Sequence, residues 1–146
     1  MTSSTQQSTR RSPFQWLALA IGVVYLLIAI GGFAVTGFDG FTEHDHDQTL
    51  LGFAVNPLHN LLHGLVGVAG LALWARPRGA RVFGWLLVIG YGGLFFYGLS
   101  VVDNPAVNVM NINWADNWLH LASALAGVVI VFWPERPDAP IRHNRR

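Results

Sequence analysis

The sequence predicts an all-α integral membrane protein, a four-helix bundle built from two parallel helical-hairpin repeats. Three observations predict it. Four apolar stretches, at about 14–35, 57–75, 82–102 and 114–133, hold a single charged residue among them, Asp116. Only 12% of the 146 residues are charged, about half the share of a soluble domain. All nine basic residues are Arg, and they fall before the first stretch, between the second and third, or after the fourth. The net charge of +1 gives no basis for nucleic-acid binding. With no Cys, disulfides, thiolate metal sites and redox dithiols are excluded.

Residues 1–13 are rich in Ser, Thr and Gln and read as a disordered cytoplasmic N-terminus. Arg10 and Arg11 read as an anchor flank, not as a twin-arginine export signal. The apolar run after them is too long for a signal peptide, and no small-x-small cleavage site follows. Phe14 to Val35 carries no charge and is long enough to cross a hydrocarbon core of roughly 30 Å at 1.5 Å per residue. Thr36 to Val55 is an acidic loop without Arg. Its Glu43-His44-Asp45-His46-Asp47 run has weak metal-ligand character, but no sequence feature fixes its geometry, so it reads as a solvated polar loop.

The second span, Pro57 to Ala75, opens with Asn56 as N-cap and Pro57 at the first helical position. Arg76, Arg78 and Arg81 crowd the turn after it. The third span, Val82 to Val102, combines Gly84, Gly90, Gly92, Gly93 and Gly98 with aromatic residues, which suits close packing of membrane helices. A short loop with Asn104, Asn108 and Asn111 leads to the fourth span, Trp114 to Trp133. Trp at both of its ends marks the interfaces. Residues 14–134 therefore form the membrane domain. Residues 135–146, with two prolines and four arginines, read as a disordered cytoplasmic tail.

The arginine distribution places both termini and the middle turn in the cytoplasm of a bacterial cell whose inner membrane the chain crosses. The loops before spans two and four then face outward. An internal repeat fits this topology. An offset of 57 relates Asn56 to Asn113, Asn60 to Asn117, His63 to His120, Gly70 to Gly127 and Pro77 to Pro134, and it places Asp116 where the first copy has His59. Both copies enter from the same side, so an axis along the membrane normal relates them.

Each copy opens with four polar residues at offsets 0, +3, +4 and +7, one stripe of a helix. They are Asn56, His59, Asn60 and His63, then Asn113, Asp116, Asn117 and His120. Two readings follow. In the first, the protein is non-enzymatic, and an outer-face Asn/Asp/His cluster packs the two repeats together or serves assembly. Asn56, Asn60, Asn113 and Asn117 are the structural polar cluster. In the alternative, His59, His63, Asp116 and His120 bind a divalent metal, Zn²⁺ ahead of Cu or Fe, since His59 and His63 at i, i+4 share a helix face. Haem between His63 and His120 needs a haem-sized gap. Proton or solute passage finds no ionisable group in the inner halves of the spans. Neither a hydrolase triad nor a phosphate loop is present. The partner expected in every case is the lipid bilayer, with a homo-oligomer or a membrane-protein partner left open.

The run N-P-L-H-N-L-L-H-x-x-x-G-x-x-G at Asn56 to Gly70 and A-D-N-W-L-H at Ala115 to His120 resemble the small actinobacterial membrane proteins grouped as domain-of-unknown-function family DUF4383. The resemblance covers about Phe14 to Pro134. It implies a four-span membrane protein and brings no established activity and no catalytic role for any residue.

Overall fold

A computed structural model describes residues 10–134. Of the disorder expected over 1–13 and 135–146, residues 1–9 and 135–146 lie outside the described residues, whereas Pro13 opens α1 and Arg11 donates to the Ala75 carbonyl at 2.9 Å. The chain is all-α: α1 (Pro13–Thr36), α2 (Pro57–Leu73), α3 (Pro77–Val101) and α4 (Trp114–Phe132). The only strands among the described residues are β1 (Thr49–Leu50) and β2 (Phe53–Ala54), a minimal antiparallel hairpin pairing Thr49 with Ala54 and Leu50 with Phe53. Its turn, Leu51 and Gly52, takes positive φ at both positions, as a two-residue hairpin turn requires.

Local chemistry sets the helix starts. Pro13, Pro57 and Pro77 each occupy a first helical turn, where a missing N–H costs nothing. Because Pro77 starts α3, the helix begins earlier than position 82, and Arg78 and Arg81 lie inside it, not in a free turn. α1, α3 and α4 are long and apolar enough to cross a membrane. α2 has 17 residues and spans roughly 26 Å at 1.5 Å per residue, somewhat less than the expected second span.

Helices pack as two hairpins, α1 with α2 and α3 with α4. In each hairpin a glycine contact brings the backbones together. A Cβ built on Gly70 would lie 2.6 Å from the Gly22 Cα, and one built on Gly127 would lie 2.6 Å from the Gly84 carbonyl oxygen. Only glycine allows helices to approach this closely. The far ends are tied as well. Gln15 on α1 donates to the Trp74 and Ala75 carbonyls at 3.1 and 3.0 Å. Arg81 on α3 donates to the Val131 carbonyl and, at 2.9 Å, to that of Trp133. These are carbonyls that a helix C-terminus cannot satisfy by itself.

The distribution of polarity is that of a membrane protein. Leu27, Ile30, Ile89, Phe96 and Phe132 are exposed on the outside, whereas Asn56, His59, Asn60, His63, Asp116, Asn117 and His120 are buried. Gly70→Leu should therefore cost about 1–3 kcal/mol through forced separation of α1 and α2. Gly90→Ala, where an added Cβ meets nothing within 4 Å, should be neutral or stabilise by up to about 1 kcal/mol. Unfolding of both variants in detergent, followed by circular dichroism, checks the contrast.

Candidate functional site

The N-termini of α2 and α4 bring the two polar stripes together. Asn56 caps α2: its Oδ1 accepts from the His59 amide at 2.9 Å, while its Nδ2 donates to the Glu43 and Val109 carbonyls. Asn113 caps α4 in the same way, accepting from the Asp116 amide at 3.0 Å and donating to the Gly52 carbonyl. Asp116 returns the contact, with Oδ2 accepting from the amides of Asn113 and Ala54 at 2.9 and 3.1 Å. These bonds attach the outer loops to the helix ends. Asn60 donates to the Thr36 hydroxyl at 3.0 Å and sits where Gly32 lacks a side chain, and Asn117 sits in the same way against Gly98.

The histidines lie one layer further in. His59, His63 and His120 are 1, 2 and 0% exposed, and one ring nitrogen from each lies within 4.8 Å of the other two. The His59 ring centroid is 4.3 Å from that of His63 and 5.8 Å from that of His120. None of the six ring nitrogens makes a geometrically sound hydrogen bond, although the backbone of Ala54 and Met110 lies beside His59 and that of Leu94 beside His120. Asp116 lies outside the trio, and its Oδ1 is buried without a hydrogen-bond partner.

Two tyrosines that the sequence reading did not assign to the site complete its floor. Tyr25 stacks at 5.0 Å from His63, Tyr91 at 5.4 Å from His120, and the two phenol rings are 5.0 Å apart. The Tyr25 hydroxyl bonds the Ser123 hydroxyl at 2.6 Å. A sequence signal for them exists. Tyr25 and Tyr91 are 66 positions apart, as are Gly32 and Gly98 and also Gln15 and Arg81. The even helices repeat at 57 and the odd ones at 66, because the second outer loop is shorter.

Those loops form the outer cover. Asn111 donates to the Asp45 and Val55 carbonyls at 2.7 and 3.0 Å, and its own Oδ1 accepts from the Asp45 amide. Asn108 clasps the backbone of Ile112 through both N–H and C=O. Ala54, Val55, Asn108, Asn111 and Ile112 are all buried. In the 43–47 run the His44 and His46 rings meet at 4.3 Å. Burial, followed by the neighbouring His46, holds the His44 imidazole below its ordinary pKa.

A porphyrin does not fit. His63 and His120 are flanked by His59, Tyr25 and Tyr91 at centroid distances of 4.3 to 5.4 Å, which leaves no slot for its plane. A single ion fits better. Zn–N bonds of roughly 2.0–2.1 Å place tetrahedral nitrogens about 3.3 Å apart, against separations of up to 4.8 Å here, so binding requires the rings to close by up to about 1.5 Å.

No curated protein and no solved structure matches this chain. The family model described as "Domain of unknown function (DUF4383)" matches residues 15–133, and the chain belongs to that family.

Proposed function

We propose that this is an integral membrane protein whose buried His59, His63 and His120 bind one divalent transition-metal ion, with Zn²⁺ the best match. One observation carries the reading: three imidazoles converge in a buried site with no hydrogen-bond partner for any ring nitrogen. Each unsatisfied buried polar group costs about 1–3 kcal/mol. A metal ion satisfies three of these nitrogens at once. Three neutral imidazoles are a donor set suited to Zn²⁺, and a three-ligand protein site leaves a fourth position open. Asp116 takes no place among these ligands in the proposal. Its Oδ2 holds the loop through the Ala54 amide. Asn56, Asn60, Asn113 and Asp116 serve the structural role, binding helix ends and loops into one unit, while Asn117 fills the space at Gly98.

The same reading places the bundle across a bacterial inner membrane with both termini cytoplasmic. It rests on the arginine distribution, on the three long apolar helices and on the outward-facing apolar side chains. α2 crosses as the second span; it starts at Pro57 as expected and ends at Leu73, two residues early, at the arginine-rich end. The two hairpins are parallel copies. Their support is the paired contacts: Asn60 at Gly32 against Asn117 at Gly98, Gln15 against Arg81, and Tyr25–His63 against Tyr91–His120.

Titration of detergent-purified, chelator-stripped protein with Zn²⁺ should give one ion per chain, with elemental analysis as the check. His63→Ala should weaken binding at least about tenfold, equivalent to about 1.4 kcal/mol; unchanged binding in that variant sinks the reading. Zn²⁺ at 100 times its Kd should raise stability by about 2.7 kcal/mol, visible as a higher Tm. Asn113→Ala should lower stability by about 0.5–2 kcal/mol through loss of the α4 cap and leave the stoichiometry at one ion. A loss of metal in that variant would place the asparagine in the binding machinery.

A further inference from the structure

The histidine site is closed toward the outer loops and open sideways. Between α2 and α3 runs a groove of about 350 Å³ that has His59, His63 and Tyr91 at its inner wall and Leu62, Leu94 and Gly90 among its other walls. Its outer lips, Leu65 and Leu86, are 58 and 53% exposed on the apolar surface of the bundle. The groove continues toward the arginine-rich end as a second hollow of about 250 Å³. That hollow shares Leu65, Val66 and Leu86 and is lined beyond them by Ala69, Phe83 and Leu87. No charged side chain lines either part.

The other hairpin junction lacks this route. Between α4 and α1 the equivalent groove, about 240 Å³, is lined by Ala20, Val24, Tyr25, Leu119, Ala122 and Ser123, and no histidine reaches it. Its residues align with those of the first groove at the repeat offsets of 57 and 66, with Ala122 and Ala20 where the first groove has its lips Leu65 and Leu86, and with two further differences. Ser123 replaces Val66 and bonds Tyr25, and Val24 replaces the open Gly90. His59 and His63 line the α2/α3 groove, whereas the α4/α1 groove reaches only Tyr25 and Ser123 of this layer.

We propose that the α2/α3 groove admits a long-chain carboxylate, a fatty-acid anion, whose head fills the fourth coordination position of the metal. This rests on the metal reading above. Three neutral imidazoles leave the ion's double positive charge unneutralised among its ligands, and buried charge in a low-dielectric site requires a counter-charge. An anionic oxygen head supplies both the bond and the charge. The all-apolar continuation of the groove takes the tail, and the lips open where the tail already resides, in the bilayer. Gly90 is the gate: a side chain there projects into open space and narrows the groove without displacing any neighbour.

The test uses the full chain in lipid nanodiscs, loaded with Co²⁺, whose visible absorption reports its ligands. Laurate, dodecanol and acetate are titrated into the wild type and Gly90→Leu. Laurate should change the Co²⁺ spectrum at a concentration at least about tenfold below acetate, and dodecanol should not reproduce the change. Gly90→Leu should raise the laurate midpoint at least about tenfold while Co²⁺ affinity and the acetate response stay as in wild type. Equal laurate midpoints in the two proteins, no response to laurate, or an equal response to dodecanol would overturn the carboxylate route and leave the metal site standing. Failure of Co²⁺ to bind at all would overturn the metal reading and this inference with it.

Discussion

Three imidazole rings converge in a buried space where none of their nitrogens makes a well-formed hydrogen bond, and the rest of the bundle holds them there. Polar side chains in an apolar interior are costly unless something satisfies them. The asparagines do so for helix ends and loop carbonyls: Asn56, Asn108, Asn111 and Asn113 all engage backbone groups. The histidine ring nitrogens make no well-formed hydrogen bond, and neither do the buried Asn117 side-chain amide, Asn60 Oδ1 and Asp116 Oδ1. Closing the helices around such a site requires strong packing elsewhere. The glycine contacts at Gly22–Gly70 and Gly84–Gly127 provide it by letting backbones touch.

Contacts within the hairpins are extensive, while those between α2 and α3 and between α4 and α1 are looser. Grooves form along those looser junctions, one on each side. The two grooves differ at Leu65/Ala122, Leu86/Ala20, Val66/Ser123 and Gly90/Val24 with the backbone plan unchanged, and histidines line the α2/α3 groove alone of the two.

Much of this was legible in the residues. Hydropathy and arginine placement locate four helices within a few residues of their ends, and the 0, +3, +4, +7 spacing identifies the histidines and asparagines that come together. Pro77 shows why the third boundary was less legible: arginines look like a turn, yet a proline at the first helical position draws them into α3. The tyrosines escaped because the repeat offset differs between odd and even helices, so a single offset of 57 does not align them. The covering role of Asn108 and Asn111 depends on contacts with Ile112, Asp45 and Val55, and the contacts to Asp45 and Val55 bridge loops far apart in sequence. No local pattern announces such contacts.

His59 faces the position that Asp116 occupies in the other half, and this mismatch has an arithmetic consequence. A pair of identical hairpins could offer only an even set of imidazoles: two if that position were acidic in both, four if it were histidine in both. Joining the halves in one polypeptide frees each to drift alone. An odd set becomes attainable, and with it a lopsided coordination sphere that no strictly twofold assembly of separate copies could provide.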